Sequence, residues 1–289
     1  MTRPCPGPRA LTTRPSWRAP PGATDCHCHV FGPYDRYPLS PGRSYTPPEA
    51  SVAAYLGMLD TIGLSRTVVV QPSVYGTDNA VTLDAVGEIG PHRARAVVVV
   101  DDGFGAAELA AMAERGARGA RFNAVSGNGA PLAQLERLAE RIAPLGWHVQ
   151  LYAHPEAVID MEPTLRRLPV PVVLDHMGGV KAAAGGVGHF GFRSLLRLLE
   201  GGRAWVKLSG YRSSAGPPYA DVAPMARALL AAAPDRCVWG TDWPHPSLHD
   251  PAEVPDDGEL LDALGAWAPD DAVRRAVLVD NPARLYGFP

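Results

Sequence analysis

The sequence predicts an α/β fold of one kind: a single, distorted (β/α)8 barrel of the TIM type, preceded by an N-terminal arm. Three observations carry that expectation. Eight apolar runs of strand length alternate with helix-period segments along the 289 residues. Several runs are nearly continuous hydrophobics, such as Val68-Val69-Val70 and Val97 to Val100, as parallel strands covered on both faces require. Strict strand–helix alternation implies right-handed parallel crossovers, and eight such units can close into a ring. An open doubly wound sheet is the alternative. No Gly-x-Gly-x-x-Gly follows the first run and no P-loop string occurs, and both absences weaken a nucleotide-binding reading.

The strand candidates are Thr24–Phe31, Arg66–Ser73, Arg95–Asp101, Gly119–Val125, His148–His154, Pro171–Gly178, Ala204–Gly210 and Cys237–Pro244. Between them, Pro48–Gly63 sets Val52, Tyr55, Leu56 and Leu59 on one stripe and stops at a glycine suited to a C-cap. Leu132–Gly146 repeats that arrangement, and Ala107–Gly116, Phe192–Gly201, Val222–Ala233 and Asp270–Leu285 read as further helices. Residues 1–22 form the arm, expected to cross the barrel bottom or stay disordered, and residues 23–289 form the barrel. Two connections lack periodicity. Gly32–Pro47, with its aromatics, suits either a substrate-covering loop or a packed surface flap, and Tyr45 is its best substrate contact. Gly178–Gly191 reads as a lid or a flexible connection.

Composition excludes several classes. Hydrophobic residues make up 46% and charged residues 20%, an ordinary globular balance. The net charge of -3 leaves no basic footprint for nucleic acid. No apolar run reaches the roughly 18 residues that a membrane span needs. The first 22 residues hold no apolar core of a secretory signal. Cys5, Cys26, Cys28 and Cys237 form no Cys-x-x-Cys pair and read as reduced thiols, which suits a cytoplasmic enzyme. Trp17 and Trp267 are candidate exposed aromatics for a homodimer contact.

In such a barrel the reactive groups come from strand ends and the loops after them. The first run ends Asp25-Cys26-His27-Cys28-His29. Alternation sets both histidines on one face and both cysteines on the other, toward the helix layer. Two imidazoles spaced i, i+2 on a strand can grip one metal ion or polarise one carbonyl. The sixth run contributes His176. The eighth, Trp239-Gly240-Thr241-Asp242-Trp243-Pro244-His245, delivers Asp242 where an apolar strand meets Gly, Pro and aromatics. A buried carboxylate there must be paired or shift its pKa. It serves as a general base for water, or else only accepts a hydrogen bond from a histidine. Arg121 and Arg212 at strand ends offer planar forks for carboxylate.

The set His27-x-His29, His176 and Asp242 resembles the amidohydrolase superfamily, in the branch that includes 2-pyrone-4,6-dicarboxylate lactonase and sugar-lactone hydrolases. The strings that carry the resemblance run from Asp25-Cys26-His27-Cys28-His29-Val30-Phe31-Gly32 through Val70-Gln71-Pro72-Ser73, Gly119-Ala120-Arg121-Phe122-Asn123 and Leu174-Asp175-His176-Met177-Gly178. Gly240-Thr241-Asp242-Trp243-Pro244-His245 and Asp280-Asn281-Pro282-Ala283-Arg284-Leu285-Tyr286 complete them. The resemblance implies a hydrolase that opens the ester bond of a carboxylate-bearing lactone. Asp242 corresponds to the base, His27, His29 and His176 to groups around the scissile carbonyl, and Ser73, Tyr152, Arg121 and Arg212 to substrate contacts, with Tyr45 and His245 as further candidates. One departure stands out. The dicarboxylate lactonase pattern has another basic residue after Arg-Phe-Asn, where Ala124-Val125-Ser126-Gly127-Asn128-Gly129 carries none.

The resemblance implies chemistry without a required cofactor. The alternative is a single divalent cation, Zn²⁺ or Mn²⁺, on His27, His29 and Asp242, with His176 or His154 as a further ligand. Arg121 and Asn123 stand where a bridging residue would end the fourth strand, which argues against two metals. Besides other amidohydrolase-type hydrolysis, the competing functions are a metal-dependent decarboxylase of an aromatic or unsaturated acid and a non-catalytic carboxylate binder. The expected partner is a small anionic lactone or carboxylic acid.

Overall fold

The computed structural model describes residues 2–10 and 12–289. The eight predicted runs are eight strands: β1 Thr24–Cys28, β2 Arg66–Val70, β3 Ala94–Val98, β4 Ala117–Asn123, β5 His148–Tyr152, β6 Val172–Leu174, β7 Ala204–Lys207 and β8 Cys237–Val238. They lie side by side in chain order, each parallel to the next, as a (β/α)8 barrel. Every strand is shorter at its C-terminal end than its apolar run. The residues after the ladder turn aside to aim side chains into the mouth. Ser73 opens a short 3-10 turn, and His176 and Asp242 adopt left-handed φ values of 49° and 64°.

The weakest link of the ring is between β8 and β1. Because β8 has two residues, the seam is held by individual bonds: Cys26 N–H to Trp239 O, Asp242 N–H to His27 O and His29 N–H to Trp243 O. Asp25 reinforces it. Its buried carboxylate accepts from the N–H groups of His27 and Thr241, both at 3.0 Å, from the Thr241 hydroxyl at 2.6 Å and from Tyr55 at 2.9 Å. Gly240 is small by necessity, since a Cβ there would lie 2.7 Å from the backbone N of His27.

The helices are α1 Val52–Ile62, α2 Ala80–Ile89, α3 Ala106–Glu114, α4 Leu135–Ile142, α5 Pro155–Arg167, α6 Phe190–Glu200, α7 Ala223–Ala232, α8 Asp257–Trp267, α9 Asp271–Arg275 and α10 Asn281–Tyr286. Ser51 caps α1 by accepting from Ala54 N–H, and Gly63 ends it at φ 78°. The pattern missed α2, α5 and α8. Six of ten residues in α2 and seven of eleven in α8 are buried, so no narrow apolar stripe marks them. Helix α5 carries Pro163 in its interior. The predicted helix Asp270–Leu285 is interrupted by a π-helical turn, Ala276–Asp280, ahead of Pro282, which has no N–H to continue an α ladder.

Two expectations about the chain ends and aromatics are corrected. The arm does not cross the barrel bottom but runs up the flank. Trp17 bonds Leu261 O and Ser16 bonds Asp262, both on α8, and Thr13 donates to Asp256, the N-cap of α8. Arg9 then bonds Val254 O, and Cys5 pairs with Thr46 beside the mouth. Tyr286 and Phe288 fill the bottom instead, packed with Val68, Val97, Val173 and Val238, while Arg95 bonds the carbonyls of Tyr286 and Gly287. Trp267, expected exposed, is buried against Gly210, while Trp17 is half-buried. All four cysteines are unpaired, and no helix among the described residues is long and apolar enough to cross a membrane.

Removing the seam carboxylate exposes its contribution. Asp25→Ala leaves two buried backbone N–H groups and the Thr241 hydroxyl without that acceptor. The expected loss is at least about 3 kcal/mol of unfolding free energy, read from urea denaturation. A loss below about 1 kcal/mol would show that the other β1–β8 bonds hold the seam alone.

Candidate active site

The register of β1 against β2 slips between Asp25 and Cys28: three steps along β1 match two along β2. This bulge breaks the alternation that the sequence suggests. Cys28 faces the helices, with Sγ beside Thr67, as expected. Cys26, expected beside it, instead joins the cluster inside the ring, so that Cys26 and His27 are both inward. His27 and His29 then converge with a third imidazole, their ring centroids 5.0 Å apart and that of His176 4.9 Å from His27.

Asp242 is the centre of this group. Its Oδ1 lies 3.4 Å from His27 Nε2 and 3.2 Å from His29 Nε2, and its Oδ2 lies 4.0 Å from His176 Nε2. Tyr211 donates its hydroxyl to Oδ2 at 2.6 Å, and Arg212 donates Nε–H to the same oxygen. Oδ1 has no hydrogen-bond partner. The Nδ1 of His29 sits 2.7 Å from the carbonyl of Val70, which can only accept. His29 therefore carries its proton on Nδ1 and turns a lone pair from Nε2 toward Asp242.

Below this layer is a set that sequence reasoning missed. Lys207 on β7 is fully buried, with Nζ 2.8 Å from Gln150 Oε1, 3.3 Å from His27 Nδ1 and 3.5 Å from Asp175 Oδ1. Gln150 donates Nε2–H to Asp175 Oδ2 at 3.0 Å. A signal was present in the sequence: Lys207 is one of two lysines in the chain and ends an apolar strand. Asp175 and Tyr211 each adjoin a residue, His176 and Arg212, that the strand-end pattern singles out.

His29, Tyr45, Ser73, Arg121, Tyr152, His176, Arg212 and Asp242 line one cavity of about 90 Å³. His27 lies just beneath it. His245 does not reach it: its Nε2 is 3.1 Å from Asp257, and its ring packs edge-on to Tyr211. Asp242 turns the chain before His245 and Pro246, sending the imidazole behind Tyr211. His154 is exposed at the start of α5, outside the cluster. Arg212 is less free than a substrate clamp would be, since Nε holds Asp242 and an Nη donates to Pro246 O. Arg121 donates to Gln71 O but leaves Nε–H buried without a partner. The loop after β1 is a packed flap, anchored by Tyr34 on Pro47 O and Tyr37 on Asp84, with Tyr45 at the cavity. Residues 178–189 contain three short 3-10 turns and do not line it, and α6 takes over at Phe190. Where the missing basic residue was noted, Val125 and Ser126 form a neutral wall.

His27 Nε2, His29 Nε2 and Asp242 Oδ1 lie within 4.8 Å of one another, and the first and last have no hydrogen-bond partner. By spacing and donor type the three fit a single divalent cation. Charge pulls the other way. Asp175 and Asp242 already face three cationic side chains, Lys207, Arg121 and Arg212.

A closed ring of parallel strands with a buried carboxylate among three imidazoles at its C-terminal mouth defines a hydrolytic type of barrel site. The chain belongs to the amidohydrolase family, whose model matches residues 24–288. It is similar to a 4-sulfomuconolactone hydrolase of Rhizobium radiobacter, at 41% identity over 98% of this chain and 96% of that one. A 2-pyrone-4,6-dicarboxylate hydrolase of Comamonas testosteroni is 40% identical over 96% and 94% of the two chains. A solved apo structure from Agrobacterium tumefaciens superimposes with a TM-score of 0.87 at 33% identity, covering 97% and 99%.

Protonation follows from burial and neighbours. Burial pushes the Asp242 carboxyl up, but the Arg212 guanidinium, foremost among the groups that oppose this, holds it well below the usual carboxylate range. Burial pushes His27 and His29 down, and brings His148 and His176 to about 3. The unfolded chain protonates each near ~6.5. As pH falls below about 6, the unfolded state gains protons that the folded state refuses, so each of these histidines lowers stability, by up to about 1 kcal/mol per pH unit. Asp25, which burial raises to about 6, opposes this between about pH 4 and 6, because there the folded state holds the extra proton. The expected net result is a urea midpoint that falls from pH 6 to 4, with a shallower fall in His148→Gln. A midpoint level across that window contradicts it.

Proposed function

We propose that this chain opens the ester bond of a small lactone bearing an acid group, carboxylate or sulfonate, using water activated by Asp242. The observation that carries the reading is the state of Asp242: buried, held ionised, and presenting an unpartnered Oδ1 beside a histidine lone pair. A water at that point donates one hydrogen to Oδ1 and one to His29 Nε2, which leaves its own lone pair for the carbonyl. Its oxygen attacks the lactone carbon as Asp242 takes the proton. Imidazole N–H groups stabilise the oxyanion, a contribution typically worth ~3 kcal/mol per donor. The ring C–O bond then breaks, and the proton passes from Asp242 to the leaving oxygen, giving a ring-opened acid.

The unpartnered Nε–H of Arg121, with Ser73, Tyr45 and Tyr152, holds the acid arm and supplies orientation. Arg212 chiefly keeps Asp242 ionised. The relatives named as lactone hydrolases support this substrate class, and the neutral wall at Val125 and Ser126 favours a substrate with one acid group at that end. The mechanism needs no metal. A cation on His27, His29 and Asp242 would supply Lewis-acid polarisation of the carbonyl. The free buried thiols suit a reducing compartment such as the cytoplasm.

The test is a panel of carboxylated and sulfonated lactones assayed for acid release at neutral pH, with and without chelator. Ring opening is expected in both conditions. Asp242→Asn should lower kcat about 10²- to 10⁴-fold while retaining binding, whereas a simple anion binder would keep or gain affinity and show no turnover in either form. Loss of carbon dioxide without ring opening would transfer the chain to the decarboxylases.

A further inference from the structure

The buried layer under the cavity holds a cation that the hydrolytic mechanism does not use directly. Lys207, Asp175, Gln150 and His27 are each fully or almost fully enclosed, so their contacts are not relieved by water. The orientation of Gln150 is settled, because its Nε2 donates to Asp175 Oδ2 and its Oε1 accepts from Lys207. Two groups then compete for Nδ1 of His27. Lys207 Nζ stands 3.3 Å away in hydrogen-bonding geometry, while Asp175 Oδ1 is 3.5 Å away and makes no hydrogen bond at all. An ammonium has three protons and no lone pair. Nδ1 must accept, and a neutral imidazole that accepts at Nδ1 carries its proton at Nε2.

We propose that Lys207 is a positioning residue that fixes the imidazole proton of His27 on Nε2, where it faces Asp242. His27 and His29 are thereby set as opposite tautomers around one carboxylate oxygen. His29, pinned by the Val70 carbonyl, presents a lone pair; His27, pinned by Lys207, presents an N–H. The pair thus sets one acceptor, which serves the attacking water, and one donor on the two sides of Asp242 Oδ1. The same arrangement disfavours a cation on these residues, because a metal needs a lone pair at the atom where Lys207 has put a proton. The triad has the spacing for a metal and the protonation for acid–base work.

The kinetic part of this assignment rests on the hydrolytic reading, and the tautomer itself does not. Long-range ¹H–¹⁵N spectra of histidine-labelled protein at neutral pH, with His27 identified by its loss in His27→Asn, report which nitrogen is protonated. The wild type is expected to show Nε2–H on His27. In Lys207→Met, Asp175 becomes the only partner of Nδ1, and the pattern is expected to invert. The double variant Lys207→Met/Asp175→Asn removes both charges together; if the single variant does not fold, its loss of the Nε2–H preference is the readout. Zn²⁺ titrated into the folded variant should bind at least about tenfold more tightly than into wild type, because the competent tautomer is no longer a minor one. The kcat for a lactone should fall about tenfold or more with KM little changed. A wild-type proton on Nδ1, a pattern indifferent to Lys207, or equal Zn²⁺ affinity overturns the assignment. A wild type that shows Nε2–H and opens no lactone overturns the hydrolytic reading and leaves Lys207 in place.

Discussion

Everything at the mouth of this barrel depends on keeping one buried carboxylate ionised. Left alone in that environment, Asp242 would take up a proton, because burying an unpaired charge costs far more than neutralising it. Arg212 and Tyr211 both donate to Oδ2 and compensate the charge from one side. The other oxygen stays open to reactants. This division of labour explains why an arginine expected to hold substrate is spent largely on the protein's own acid. It also explains why the imidazoles nearby are neutral: low dielectric disfavours their charged forms, and the counter-charge they might have drawn on is already claimed.

The second layer repeats this logic one level deeper. Asp175 is balanced by Lys207, with Arg121 3.6 Å away, and Gln150 bridges the first pair. Such a network is expensive unless every member is satisfied, and partial satisfaction is where function usually resides. Among the incompletely satisfied atoms, which also include Asp175 Oδ1 and His176 Nδ1, the groups His27 Nε2, Asp242 Oδ1 and Arg121 Nε lie at or just under the cavity. They are the groups with capacity left for a ligand.

Much of this was legible in the residues. The eight strands were readable because parallel strands buried on both faces leave continuous apolar runs. His29, His176, Asp242 and Arg121 were readable because polar residues at the ends of such runs have few other reasons to be there, whereas Ser73 rested on the family resemblance and Tyr45 on the aromatic loop after the first strand. Three things were hidden. Helices α2 and α8 are enclosed too widely to show one stripe, and Pro163 masks α5. Lys207 looked like a strand residue, since nothing local reveals that Asp175 and His27 meet it from two other strands. The fate of His245 was decided by left-handed backbone at Asp242 and at His245 itself, a conformation that periodicity does not encode.

The slip in β1 has a consequence of its own. In a regular strand, consecutive side chains leave on opposite sides, so a residue that plugs the ring and a residue that serves the mouth cannot be neighbours on the same side. One surplus residue lets Cys26 close the interior packing while His27, immediately after it, begins the reactive layer. Deleting a single position between Asp25 and Cys28 would leave a perfectly regular strand and a barrel of the same shape. It would also force the chain to choose between a sealed interior and its first imidazole.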